Sequence, residues 1–481
     1  MTSNIPDSNS RRAFLRRSGQ LAMTGAALPW AINLAAIGEA AAFTASDYKA
    51  LVCVFFYGGN DYANTVVTYD DPSYAKYAAI RGGGQTSIAL AKGDLAATLL
   101  NPTTPLADGR QYALHPAMTG MAGLFNAGHA AVQLNVGPLV VPMTRVQYAT
   151  GDQVKYPLPP KLFSHNDQQS VWQSSKAEGS TVGWGGSIGD LALSSNSTSL
   201  FTCISVTGNA VFLSGQNALA YQVSPSGAVR INAVTSNVYG SSAVKSAMAT
   251  LVQQSRGHVL ENEYNKVTAR AIGAESQISG ALAGSDVSTA FPAQNSLADQ
   301  LKLVARLIGA RGSLGAKRQV FLVSLGGFDL HDNLIAQQPG LMTRVSEAMT
   351  SFYNATVELG VADKVTAFTA SDFGRTLSSN GDGSDHGWGS HHFVVGGAVK
   401  GRAFYGKAPP VSIGNTAAAE DQWHVGQGRL LPSTATAQYA ATLARWFGVA
   451  DSELVGILPN IGNFGAPAGR ADYPRDLGFM A

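Results

Sequence analysis

An unbroken apolar run from Ala50 to Phe56 stops at Gly58 and Gly59, which predicts a strand buried on both faces. The stretch HPAMTGMAGLFNAGHAAVQLNVG changes period within itself, predicting a helix from Pro116 to Asn126 and a strand from Ala130 to Val136. Residues 160 to 240 are rich in Ser, Thr, Gly and Asn with short β-branched pieces, and predict an antiparallel excursion with loops. Residues 242 to 310 read as helical, with Leu260, Tyr264 and Val267 at spacings of four and three. From there strands and helices alternate: strand Gln319 to Leu325, helix Leu341 to Leu359, strands Lys364 to Thr369 and Phe393 to Val395, helix Ala435 to Phe447. That order predicts an α/β fold, a central, mostly parallel sheet between two helical layers. No repeat or linker divides residues 43 to 481, so they are expected to form one domain.

Composition narrows this. With 45% hydrophobic and 13% charged residues in 481, the chain has material for a large core and is not disordered. The formal charge of +2 owes its excess to Arg11, Arg12, Arg16 and Arg17, and no basic patch of the kind that binds nucleic acid follows. Cys53 and Cys203 both sit in apolar, β-branched runs and read as small buried hydrophobes. The N-terminal Ser10–Arg11–Arg12–Ala13–Phe14–Leu15–Arg16, a mildly apolar Gly/Ala stretch and Ala40, Ala41 and Ala42 resemble a twin-arginine export signal with its cleavage site. The expectation is a signal peptide over 1–42, the twin-arginine translocase as partner during export, and a mature protein that is periplasmic or extracellular. No later stretch approaches the roughly 18 unbroken apolar residues of a membrane span.

Three predicted strands end in ligand-type side chains. Asn60, Asp61 and Asn64 follow the first; Asp329, His331, Asp332 and Asn333 follow the strand at 319; Asp372 and Arg375 follow the strand at 364. In open α/β sheets, ligands bind at the carboxyl ends of strands. Carboxylates and imidazoles gathered there form an O/N donor set for a divalent cation. The segment SDFGRTLSSNGDGSDHGWGSHH is expected to fold back through Gly381, Gly383 and Gly387 so that Asp372 and His386 converge. Asp385 would accept a hydrogen bond from a liganding imidazole. His115 and His129 read as structural, and the adjacent His391 and His392 would face opposite sides of a strand.

The motifs GGNDYAN, FSHNDQQSVW, GGFDLHDN, SDFGRT, SDHGWGSHHFVVGGAVKG and LPSTATAQYAATLARWFGV occur in this order from residue 50 to about 465. The set resembles the exported bacterial proteins of domain-of-unknown-function family 1501, which is similar to the alkaline phosphatase and sulfatase superfamily. That resemblance implies an alkaline-phosphatase-like fold and one or two divalent metal ions, zinc first, with magnesium, manganese or calcium as alternatives. It implies Asp61, Asp329, His331, Asp372 and His386 or His392 as ligands. It implies an exported hydrolase of phosphate or sulfate esters, acting on a small-molecule or polymer ester, with Arg375 holding the anionic oxygens. The nucleophile would be Ser164, or Thr144 by order along the chain. The chain departs from the superfamily in spacing Asp329 and His331 two apart rather than four, and in following Asp372 with Phe373 rather than histidine. The alternative is a non-catalytic exported protein of the same fold, acting in envelope assembly or ligand binding.

Overall fold

In β1 (Lys49–Phe56), Ala50, Val52, Val54 and Phe56 enter one hydrophobic core while Leu51, Cys53 and Phe55 enter another. Side chains of a strand alternate between faces, so a strand apolar at every position must be covered twice. The computed structural model describes residues 45–83 and 86–481; the expected signal peptide lies outside them. Among the described residues the remaining strands are β2 (Val66–Thr68), β3 (Tyr112–Leu114), β4 (Ala130–Gly137), β5 (Cys203–Ser205), β6 (Tyr221–Ser224), β7 (Gly227–Ala228), β8 (Arg318–Leu325), β9 (Val365–Ser371), β10 (Ser390–Gly396), β11 (Ala403–Tyr405) and β12 (Thr434–Ala435). β2 and β3 form a small separate ribbon. The others form one sheet in the order β11-β4-β10-β9-β1-β8-β5-β6-β7, with β12 also on β4. Only β7 and β10 run against the rest. Helices Thr119–Asn126, Ser296–Gly309 and Leu334–Glu358 cover one face; Trp184–Ala192, Thr436–Phe447 and Asp451–Ile457 cover the other. The three-layer, mostly parallel architecture expected from the alternation is therefore present.

Two stretches differ from expectation. Residues 160 to 240 are antiparallel only where β7 turns back on β6: they otherwise hold the helices His165–Ser174 and Trp184–Ala192, and β5 and β6 extend the main sheet in parallel. The glycines that suggested loops are contact points. A Cβ on Gly189 would lie 2.4 Å from the Cys203 sulfur, so the residue is glycine because helix and strand touch there. The helix expected from Leu341 starts at Leu334 and runs through Pro339, because Leu334 is wholly buried and its N–H donates to the Asp382 carbonyl. Cys53 and Cys203 are both buried free thiols on different strands. Among the described residues no helix is long and apolar enough to cross a membrane.

Candidate metal centre

The parallel neighbours β8, β1 and β9 end side by side, so the loops after Phe56, Leu325 and Ser371 meet at one edge of the sheet. Gly58 (φ +117°) makes this possible: its N–H donates to Asp372 Oδ2 at 3.1 Å and its carbonyl accepts from Arg375 Nη1 at 3.0 Å. A Cβ there would sit 2.4 Å from the Asp329 nitrogen. Asp372 and His386 are drawn together as expected, since the loop between them closes by a bridge of Arg375 with His386. The glycines serve it differently than predicted. Only Gly381 among the three has a positive φ, while Gly383 lies against the His331 carbonyl, which a Cβ would meet at 2.3 Å.

Asp329 is the hub. Its Oδ1 lies 3.1 Å from His331 Nε2 and 3.2 Å from His386 Nε2, and its Oδ2 lies 3.4 Å from His165 Nε2. The two Nε2 atoms of His331 and His386 are 2.9 Å apart. Each ring is turned by an oxygen behind it: His165 Nδ1 meets Asp372 Oδ2 at 2.6 Å, His386 Nδ1 meets the Phe163 carbonyl at 2.7 Å, and His331 Nδ1 meets Asp385 Oδ1 at 3.3 Å. Ionised carboxylates and carbonyls only accept, so the three Nδ1 atoms carry hydrogen, and Nε2 is the atom each ring offers to the Asp329 carboxylate. Facing lone pairs at these distances repel unless a proton or a metal cation lies between them. Tetrahedral zinc with bonds of about 2.0–2.1 Å separates its ligands by roughly 3.3 Å, close to the spacings observed. The ligand atoms of His165, Asp329 and His386 all fall within 4.8 Å of one another. The residues present therefore fit a divalent cation, and the two imidazole nitrogens of His165 and His386 beside the Asp329 oxygen suit zinc better than magnesium or calcium.

The electrostatics set the rings apart. Hydrogen bonding to Asp372 is the main reason the His165 pKa is raised, so a cation there would have to displace the proton that this ring favours. Burial is the main cause lowering that of His386, which favours the neutral ring a metal needs. Burial alone would raise the Asp329 pKa, but the bond to Arg375 and the charges of Arg375, His331 and His386 hold it below the usual carboxylate range. The side chains of Asp329 and His331 remain 42% and 44% exposed, so the centre opens to solvent.

Several predicted site residues are placed elsewhere or in other roles. Asp61 is buried and spent: it caps the helix Tyr62–Thr65, pairs with Arg81 Nη2 at 2.7 Å and accepts from Ser384 Oγ at 2.7 Å. Asp372 stands behind His165 as its positioning partner, because Oδ2 already accepts from Gly58, His165 and Gln169. His392 lies inside the sheet beside Trp172 and Tyr439, where its strand directs it away from the edge. Arg375 is fully buried and its donors meet Asp329, Gly58 and Ser384; the acid it pairs with is Asp329, at 2.7 Å. Ser164 donates to Asp167 at 2.9 Å, and Thr144 is an exposed helix cap in a reciprocal box with Gln147. Neither hydroxyl is aimed at the centre. His165 was the residue missed, and Arg81 another. The signal for His165 was FSHNDQQSVW itself, in which His165 and Gln169 are one helical turn apart and both reach Asp372.

Arg429 also borders the centre. Its Nε donates to the His386 carbonyl at 2.7 Å and its guanidinium lies over the Phe163 ring at 5.4 Å. No acceptor among the described residues meets its terminal nitrogens.

The family described as "Protein of unknown function (DUF1501)" matches residues 48–455. No curated protein matches the chain. Among solved structures, the PsFucS1 sulfatase from Pseudoalteromonas sp. is 9% identical, with 89% of this chain and 73% of that one covered and a TM-score of 0.35. Ps i-CgsB in complex with k-i-k-neocarrahexaose is 9% identical, with 85% and 74% covered and a TM-score of 0.33.

Proposed function

Because the chain belongs to that family of unknown function, whose match spans every residue of the cluster, we propose that it is a metal-dependent hydrolase of phosphate or sulfate esters. The observation that carries this is the convergence of three oriented imidazoles on Asp329 at a solvent-open sheet edge. A divalent cation held by His165, Asp329 and His386 would polarise an ester oxygen and make water a better nucleophile near neutral pH. With Ser164 and Thr144 turned away, the attacking group is water. His331, held by Asp385 and half exposed, takes the proton from that water and returns it to the leaving alcohol. The terminal nitrogens of Arg429 hold the anionic oxygens, the role expected of Arg375.

Protein purified without chelator is expected to contain about one zinc-class ion per chain and to hydrolyse p-nitrophenyl phosphate or sulfate. Chelation should stop turnover and added zinc restore it. Arg429→Ala is expected to lower kcat/KM roughly 10- to 100-fold, the loss of a charge-assisted hydrogen bond of about 1.5–3 kcal/mol. Equal turnover before and after complete metal removal would overturn this reading. A full metal complement with no turnover on either ester would favour the non-catalytic alternative.

Export through the twin-arginine route, to the periplasm or beyond, is part of the same proposal and rests on the N-terminal sequence. Exchanging Arg11 and Arg12 together for lysine is expected to leave precursor in the cytoplasm, seen by fractionation. Normal export of that variant removes the twin-arginine reading.

A further inference from the structure

The helix Val259–Ala283 carries one apolar stripe, of which only half is covered. Leu260, Tyr264, Val267 and Ala271 follow at spacings of four and three, and Ala274 and Ile278 continue the line. At about 100° per residue all six fall within roughly 80° of arc. Ala274 and Ile278 are 3% and 0% exposed, packed in the core, whereas Leu260, Tyr264 and Val267 are 74%, 70% and 51% exposed. In that outer half the polar side faces inward: Asn265 is buried and its Nδ2 donates to the Gln254 carbonyl at 2.7 Å. The helix is thus inside out over about 14 residues, or ~20 Å. A soluble helix with its apolar stripe turned to water lacks a partner.

We propose that the partner is a second copy of this chain, with the two outer half-helices packed antiparallel about a two-fold axis passing between Asn265 and Lys266. The stripe is symmetric about that point, so Leu260 of each copy lies opposite Ala271 of the other and Tyr264 opposite Val267, large against small each time. The flanking charges complement themselves with an offset of about two residues. Glu263 and Arg270 lie on the same side of the stripe, 3.4 Å apart within one chain, and reversing one helix also brings Glu263 of each copy toward Arg270 of the other. An anionic lipid surface would call for a cationic flank, but here Glu261 and Glu263 balance Lys266 and Arg270. The contact is independent of the metal centre.

Light scattering and sedimentation of the full chain test this. The parent protein is expected at twice its 50.0 kDa, and Tyr264→Glu with Val267→Glu at the monomer mass with an unchanged thermal melt, since both side chains are exposed. Glu263→Arg alone and Arg270→Glu alone should each weaken the dimer about fivefold by setting like charges opposite each other twice, and the two together should restore it. A parent protein monomeric at tens of micromolar, or a dimer that survives the two glutamates, overturns the proposal. So does a charge exchange that fails to restore the dimer. If the parent is monomeric and deletion of residues 1–42 exposes the helix to protease, the stripe is covered by the chain's own N-terminal segment, which also overturns it.

Discussion

Asp329→Asn is expected to abolish stoichiometric metal binding and to lower ester turnover by more than a hundredfold, with the fold intact. Among the described residues Asp329 is the one carboxylate within 3.4 Å of all three converging Nε2 atoms, so its charge is what a cation would balance at the centre of the cluster. The amide removes that charge and, with its oxygen kept toward Arg375, turns an N–H donor toward the Nε2 lone pair of His165, satisfying that ring without an ion. The retained oxygen still accepts from Arg375, which Gly58 and Ser384 also hold. Breaking a buried ion pair costs about 3–5 kcal/mol. The 42% exposure of the Asp329 side chain and the surviving hydrogen bonds argue for a smaller loss, on the order of 1–2 kcal/mol. Asp385→Asn, which only loosens the orientation of the proton acceptor His331, should leave the metal bound and lower turnover about 10- to 100-fold. Titration calorimetry and elemental analysis of the two variants separate the cases. If Asp329→Asn retains the parent's metal, the ion is held elsewhere.

How much of this centre the sequence disclosed depends on the distance over which each contact is made. Asp329 and Asp372 were legible because each follows an apolar run, and the ends of parallel strands gather at one edge whatever their order; β8, β1 and β9 happen to be neighbours, which brings the two acids close. His386 was legible because a polar loop between two buried strands must turn back. Asp61 looked equivalent to Asp329, but no pattern near it revealed that Arg81, on another helix, would neutralise it. Likewise Arg375 reads as an anion binder until Asp329, 46 residues earlier, is seen to hold it. His165 arrives from a helix 207 residues from Asp372, in a glycine- and serine-rich region whose composition argued against helix. The layered fold needed only local periodicity and was legible outside residues 160 to 240, whereas the assignment of ligand, support or cap depended on long-range pairing.

Lowering the pH from 7 toward 4.5 is expected to destabilise the protein by several kcal/mol, and His392→Phe should remove one share of that loss. Burial lowers the pKa of His391 and of His392 to about 3, and that of His115 to about 4. The unfolded chain takes up these protons near 6.5. Their stabilising effect is complete above that value and declines as the pH falls toward the folded values, at about 1.4 kcal/mol per pH unit for each ring. Over two units each ring contributes about 3 kcal/mol, and three of them approach the 5–15 kcal/mol that holds an ordinary domain together. His165 works in the opposite sense, because its raised pKa adds stability below the unfolded value and so offsets part of the loss. His391 is tied into the sheet, its Nδ1 accepting from the Asn135 N–H at 3.0 Å, which makes it a poor choice for replacement. His392 is better: it makes one long contact, 3.4 Å to Thr369 Oγ1, its Nε2 has no partner among the described residues, and aromatic rings of Trp172 and Tyr439 lie beside it. A phenyl ring fits that setting and cannot be protonated. Urea unfolding at pH 7, 6 and 5 should therefore show the variant at least as stable as the parent at pH 7. Its loss should be shallower by about 1.4 kcal/mol per unit below pH 6.5. Parallel lines for the two proteins would mean that His392 takes its proton in the folded state as readily as in the unfolded one.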